Sequence, residues 1–387
     1  MLQTISSIQD RFAALPPPVP TATPPIATIV GSRKLVDMSD VYEQMRTIAC
    51  LLSQRGFQVS TGDAVGADSA AVQGTLDARN TPIIWSPYVK KDPRTNALTL
   101  PPSETHLKLL PVLHPLAHTL AAVSPNSVRL HARNAGQVAG DYITQPSDLL
   151  LCWTPEGCTT DMHRTQATGG TGTAISLAYW MGIPVINLQR PEALDQLFQF
   201  LQNPPASRTL PFQPQLADPL NIYSGVKGFG GALTNPTELA RQKGNLAQKY
   251  PIHLPALDLT WPDVESAYHA YKHKPKQGTP RETDQAMHFN NQLIAWLCAH
   301  KLSQHPRLLN RIDACGGAPW LATCTHWVSP SRPSSIPLYE WQGAGVQSRF
   351  IRTLIQGYWM AHSGAHLSAQ TTHYWQTKLR PPQLSFL

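Results

Sequence analysis

Through the first half of the chain, short aliphatic runs alternate with longer stretches of helical period. IATIV (26–30) is apolar throughout and stops at Gly31, which predicts a buried strand. From Ser39, read as an N-cap, to Leu52, the residues Val41, Met45, Ile48 and Leu52 fall on one helical stripe. GFQVSTG (56–62) predicts a second strand, and a Gly/Asp turn leads into an Ala-rich helix over 69–79. TPIIWSP (81–87), SDLLLCWTP (147–155) and IPVINL (183–188) give three more strands, with GGTGTAISLAYWMG (169–182) feeding a helix between the last two. Residues 90–126, dense in proline, predict an insertion of loops and short helices. Strands rich in Val, Ile and Leu that alternate with helices predict an α/β domain whose parallel sheet is covered on both faces. Ligands of such sheets sit at the carboxyl ends of the strands, where each Gly-rich turn falls.

The pattern breaks at 203–219, NPPASRTLPFQPQLADP, which is Pro-rich and non-periodic and marks a linker. Beyond it, over 220–387, strand signals shorten. Helical periods dominate near 262–274, 284–303, 306–315 and 346–360, predicting a mostly helical α+β domain. The chain thus reads as an N-terminal α/β domain over 26–202 followed by that second domain, as expected for 387 residues. Residues 1–25 begin with a short amphipathic segment, end in PPPVPTATPP, and predict an extended arm.

Composition changes this picture little: 42% hydrophobic residues can build cores, and 36 prolines argue against a helical bundle. The net charge of +7 favours anionic partners, yet no run of five or six Lys/Arg marks a nucleic-acid groove. Cys50, Cys152, Cys158, Cys298, Cys315 and Cys324 form no CxxC pair, and neither a leader's apolar region nor a membrane span stands out. The expectation is a cytoplasmic protein with reduced thiols and no membrane partner.

Three segments carry candidate chemistry in the first domain: Gly31-Ser32-Arg33, STGDAVGADSAA (60–71) and TGGTGTA (168–174). Glycine lets backbone N–H groups approach an anion, and the helix start behind each loop adds oriented donors. Tight turns use glycine for structural reasons as well. Neither GxGxxG nor a Walker lysine is present, so ATP hydrolysis has no support. GSR, TGDAVGADSAA, HARN (131–134) and GGTGT, in this order over about 26–190, resemble the SLOG superfamily. That group includes the cytokinin-activating phosphoribohydrolases and the DNA-processing protein A family. The resemblance implies a Rossmann-like domain that binds a nucleotide or phosphate through Gly31, Ser32, Arg33, Gly62, Asp63, Gly66, Asp68, Arg133, Asn134, Gly169, Gly170, Thr171, Gly172 and Thr173. Asp63 and Asp68 are read as ribose or base partners, and Asp68 equally as a helix cap. Where phosphoribohydrolases carry a glutamate, this chain has Ser176, so this half is read as binding or sensing.

In the second domain, TWPDVESAYHAYK (260–272) opens like a helix at Pro262 and Asp263. Glu265, Tyr268, His269 and Lys272 share one face, with Val264, Ala267 and Tyr271 on the neighbouring one. A lone glutamate among aromatics suits general acid/base work, since partial burial raises its pKa. An ordinary amphipathic helix would also carry a solvated glutamate there. With ALTNPTE (232–238), PWLATCTHW (319–327) and YEWQGAG (339–345), the helix resembles the NADAR family over about 221–360. The resemblance implies hydrolysis of an N-glycosidic bond in ADP-ribose-like or ribosyl-pyrimidine compounds. Glu265 would be the carboxylate, Trp261 and Trp341 the stacking rings and Asn235 the holder of a polar edge. Tyr268, Lys272, Gly343 and Gly345 match further motif positions. Departures are LTNP for FSNF, Ser266 where the family has histidine, and Thr325-His326 without the family's aspartate.

His269 and His273 lie four apart, as zinc ligands can, but without a clear third ligand no metal is expected, and no cofactor either. Asp313 with Cys315-Gly316-Gly317 is read either as part of the pocket or as a helix stop, and His362 and His366 as solvated. The expected function is an N-glycosidase joined to a nucleotide-binding domain, in a homo-oligomer by resemblance. The alternatives are a non-catalytic nucleotide sensor or carrier, then single-stranded DNA handling.

Overall fold

The apolar runs of the first half form one sheet in the computed structural model, which describes residues 4–18, 23–113, 124–141, 143, 145–204, 210, 215–273, 280–328 and 341–379. β1 (Ile26–Gly31) is central, flanked by β2 (Gln58–Gly62) and β3 (Ile83–Trp85) on one side and β4 (Leu149–Trp153) and β5 (Val185–Asn187) on the other. The order is β3-β2-β1-β4-β5, with every pair parallel. Around it run α1 (Ile5–Ala13), α2 (Ser39–Gln54), α3 (Ala67–Asp77), α4 (Glu104–Leu113), α5 (Pro125–Ala139), α6 (Thr171–Trp180) and α7 (Ala193–Gln202). The chain divides into two compact units: Met1–Tyr179 with Ile183–Leu210, and Pro211–Leu387 with Trp180–Gly182.

Strand side chains alternate, and both faces of the sheet are covered. Ala27, Ile29, Val59, Leu149 and Leu151 join a core with Met45, Ile48 and Leu52 of α2 and Leu197 of α7. Thr28 and Ser60 face the other way, and both hydroxyls donate to the Gln137 carbonyl of α5.

The N-terminal segment departs from its expected extended form. Ser7 donates its amide to the Thr4 hydroxyl to open α1, and Ile8 and Phe12 enter the core. Phe12 meets the Phe198 ring edge-on at 5.1 Å, while Arg11 lies over that ring at 4.0 Å and pairs with Asp195 at 2.9 Å. A nine-residue helix is marginal alone and depends on such packing, which local periodicity does not announce. Residues 1–3 and 19–22 lie outside the described residues. Two smaller corrections concern helix starts. Ser39 is the first residue of α2, the cap position belonging to Met38 without a side-chain bond. α3 begins at Ala67, behind Gly66 at φ +84°, so Asp68 sits inside its first turn rather than capping it.

The second unit is mostly helical, as expected: α8 (Phe229–Leu233), α9 (Thr237–Gln242), α10 (Val264–Tyr271), α11 (Pro280–Gln304), α12 (Pro306–Cys315), α13 (Gly317–Leu321), α14 (Arg349–Ser363) and α15 (Ala369–Lys378). Two small antiparallel pairs complete it, β6 (Ile252–Leu254) with β7 (Leu259–Trp261) and β8 (Thr325–His326) with β9 (Gly343–Ala344). Every residue of α11 from Leu293 to Ala299 is buried, the mark of a helix enclosed on all sides. α14 lies so close that a Cβ on Gly357 would sit 2.7 Å from the Cys298 Cβ and 2.8 Å from the Ala295 carbonyl oxygen. Among the described residues no helix is long and apolar enough to cross a membrane.

Three histidines of this unit, His300, His326 and His366, are buried. His300, 1% exposed, stands edge-on to Trp296 at 4.7 Å and to His366 at 4.9 Å, and neither ring nitrogen has a partner among the described residues. Burial pushes His300 down to about 3, with His366 and His253 adding to the effect. His366, expected to be solvated, is 2% exposed and bonded to the Met360 carbonyl and the Ser303 hydroxyl, each at 2.9 Å. The unfolded chain takes up a proton on His300 below its ordinary value, while the fold excludes that proton until about pH 3. Stability should therefore fall as pH drops below about 6.5, by about 3 kcal/mol near pH 4 from this residue alone. Urea unfolding of wild type and His300→Leu across that range checks it, and the variant should lose less stability on acidification.

Candidate functional site

The carboxyl edge of the sheet gathers the Gly-rich loops of the first unit. Asp68 accepts the Ala64 amide at 3.3 Å, closing the loop after β2, and Arg133 of α5 reaches into the same place. Its guanidinium donates to Asp63 at 3.2 Å, to Asp68 at 3.3 Å and to the Trp85 carbonyl at 3.2 Å. Asp63 also takes Lys90 at 2.6 Å and the Ser86 hydroxyl at 2.8 Å. Burial raises Asp63, but Lys90, Ser86 and Arg133 together outweigh it and leave the carboxyl below its usual value. Asp68 is raised, because its burial outweighs Arg133. A Cβ at Gly62 would run into the Arg133 guanidinium and the Asp68 carboxylate, and one at Gly31 would lie 2.9 Å from both the Ala67 Cβ and the Trp153 carbonyl oxygen. These glycines serve close approach of protein to protein. Arg133 and the two aspartates brace the edge, whereas Ser32 caps a short 3₁₀ turn (Arg33–Asp37) and Arg33 is exposed.

The GGTGT loop is held from α5 as well. Asn134 donates to the Gly170 carbonyl at 2.9 Å, and the His131 Nδ1 lies 3.2 Å from the Thr173 hydroxyl. Gly169 and Gly170 are exposed, and Thr171 and Gly172 open the first turn of α6. Ser176, fully buried, donates to Asp161 at 2.6 Å and accepts from Arg164 at 2.8 Å. Neither Asp161 nor Arg164 stood out in the sequence. Both lie between β4 and α6 without a Gly-rich signal.

The second unit holds a cavity of about 790 Å³. Five of the six residues read as its chemistry line it: Asn235, Glu265, Tyr268, Lys272 and Trp341, from three separate stretches of chain. Trp261 does not, because its ring packs edge-on to Tyr271 at 5.8 Å. The helical face read from the sequence is the one presented. Glu265, Tyr268, His269 and Lys272 line the cavity, while Val264, Ala267 and Tyr271 are buried behind them. Asp263 caps α10, accepting the Ser266 amide at 2.9 Å and hydroxyl at 2.7 Å, and also takes the Glu238 amide at 2.9 Å.

Asn235 is fixed from below by α11. Its backbone carbonyl accepts the Thr237 and Glu265 amides at 3.0 and 3.4 Å, and the Cys298 thiol donates to its Oδ1 at 3.5 Å. Burial pushes that thiol up to about 12, so it remains a donor. Lys301, buried beside it, donates to the Thr234 carbonyl at 2.6 Å, and burial brings its ammonium down to about 8. Trp341 has the Arg349 guanidinium over one face at 4.3 Å and Tyr268 edge-on at 5.9 Å. Glu265 Oε1 lies 2.7 Å from His269 Nε2, and His273 stacks on Phe289 at 3.8 Å. Among the described residues no group of three His, Cys, Asp or Glu is arranged to hold a metal ion.

Arg349, His326 and Phe350 line the cavity without having been singled out. His326 bonds the Ile222 carbonyl through Nδ1 and stacks on Phe350 at 4.4 Å. Asp313 is not among the lining residues. It takes the Tyr358 hydroxyl at 2.7 Å and His362 at 2.8 Å, while Gly316 at φ +117° stops α12. His362, expected in solvent, is thus engaged, its side chain 18% exposed. Gly343 and Gly345 shape β9 and the turn after it, while Tyr339 and Glu340 lie outside the described residues. No family model, curated protein or solved structure matches the chain.

The bracing role of Arg133 predicts a large effect from removing it. Arg133→Met leaves Asp63 and Asp68, with side chains only 11% and 6% exposed, without the cation they share, and Asp68 without its ion-pair partner. The first unit's thermal transition should drop by the equivalent of about 3 kcal/mol, whereas Arg33→Ala should move it by no more than about 0.5 kcal/mol.

Proposed function

We propose that the second unit is an N-glycosidase acting on an ADP-ribose-like or ribosylated-base compound, and that the first is a Rossmann-like nucleotide-binding domain. One observation carries the reading: residues of three separated segments, each chosen for the same chemistry, meet in one cavity large enough for a nucleoside phosphate. Among the described lining residues, Glu265 has the only carboxylate, while Lys272 and Arg349 supply cationic groups.

The chemistry follows from these groups. Hydrolysis breaks the bond between C1′ and the base nitrogen and joins the water oxygen to C1′, and positive charge develops on the sugar between these events. A carboxylate beside C1′ stabilises that charge in a site lined by rings that exclude water. Glu265 is suited to this because Oε1 is engaged by His269 while Oε2 makes no hydrogen bond among the described residues. With Oδ1 of Asn235 engaged by the Cys298 thiol, the amide NH₂ is the group left for an acceptor atom on the ligand. Trp341, backed by Arg349, provides a wall for a planar base.

In the first unit Ser176 is bound between Asp161 and Arg164, which favours binding without turnover there. Anion recognition at that edge would fall to the amide of exposed Gly170 at the start of α6, since the Gly169 amide donates to the Gln166 carbonyl at 3.2 Å.

The test is turnover by wild type and Glu265→Gln, each offered ADP-ribosylated guanosine, NAD and ribosyl-pyrimidine phosphates. Wild type should release free base, and the variant should lose at least about 10²-fold in kcat while still binding. Ligand bound by both with no product from either would make the protein a nucleotide sensor.

A further inference from the structure

We infer that His269 is a catalytic residue of the cavity, its imidazole activating the attacking water while Glu265 holds the ring. The inference rests on the glycosidase reading and adds the group that moves the proton. Displacement at C1′ needs a carboxylate near the sugar and also a base for the water, and a single glutamate does not do both at once.

Three observations select His269. It lies one helical turn beyond Glu265 on α10, with Nε2 at 2.7 Å from Oε1, and both residues line the cavity. This contact makes Nε2 the donor in the neutral ring and leaves the Nδ1 lone pair free. Nδ1 makes no hydrogen bond among the described residues, and the side chain is 54% exposed, open to a water in the cavity. The other two lining histidines are differently engaged. His326 is 8% exposed with Nδ1 on the Ile222 carbonyl, and His273 is stacked on Phe289. The pair therefore offers two unpartnered atoms, Oε2 for the sugar cation and Nδ1 for the water proton.

The step balances. As the water oxygen bonds to C1′, Nδ1 takes one water proton, and the C1′–N electron pair leaves with the base. The imidazolium then returns that proton to the leaving nitrogen, so free base and a C1′ hydroxyl are the products and the His269–Glu265 pair is restored.

An ion pair that only stabilises the helix would leave kcat alone, so the test reads kcat, KM and chemical rescue. His269→Gln keeps the size and a hydrogen bond to Glu265 but lacks a base, and it should lose about 10²-fold or more in kcat with KM nearly unchanged. His269→Gly should be equally slow, and added imidazole should restore a large part of its rate through the opened space. Thermal melting of both variants at the wild-type temperature excludes misfolding as the cause. Wild-type kcat in His269→Gln, or no rescue of His269→Gly by imidazole, overturns the inference and leaves the glycosidase reading standing. No base released by wild type from any of the three compound classes overturns the reading itself, and His269 with it.

Discussion

The second unit depends on the close crossing of α11 and α14. Gly357 removes the one side chain that would separate them, and the contact brings Cys298 and Ala295 against the partner backbone. The cavity is fixed by the same pair of helices. Met287, Asn290 and Ile294 come from α11, and Arg349 and Phe350 from the first turn of α14. One helix buried over seven consecutive residues, Leu293 to Ala299, thus supplies both the core and the floor of the site. Close-packed interiors deform little, so a site built on such a crossing holds its side chains in place before any ligand arrives.

Rigidity reaches the side chains that line the cavity through short links. Lys301 and Cys298 hold the Thr234–Asn235 segment, the Asn235 carbonyl takes the Glu265 amide, and Asp263 caps the helix that bears Glu265 and His269. Each link but the Asp263 cap is a single hydrogen bond, of modest worth in water but costly to break where burial leaves no replacement partner. The buried ammonium with the Thr234 carbonyl as its acceptor is the extreme case, and burial accordingly brings it down to about 8.

Much of this was legible in the sequence. Short aliphatic runs marked the strands of the sheet, because a parallel strand buried on both faces leaves a nearly unbroken hydrophobic trace. The 3.6-residue period separated Glu265, Tyr268, His269 and Lys272 from the buried face of α10. What stayed hidden depends on contacts distant in sequence. Arg349 begins a helix whose stripe reads as core, and nothing nearby says that its guanidinium covers Trp341. Trp261 sits in the most motif-like stretch, yet β7 turns its ring to Tyr271, since a strand residue and a helix residue beside it need not face the same way. The docking of α1 on Phe198 and the reach of Arg133 to two aspartates join positions 65 to 186 residues apart.

The braced edge of the first unit has an electrical consequence. Arg133 and Lys90 face Asp63 and Asp68 within 3.3 Å, so two positive and two negative charges cancel locally. A neutral cluster of this size projects little field beyond the Debye length, about 8 Å at physiological ionic strength. The cluster itself therefore adds no long-range pull on anions at that edge. An anion that settles there gains nothing over distance from these four groups and is held by peptide dipoles at contact range.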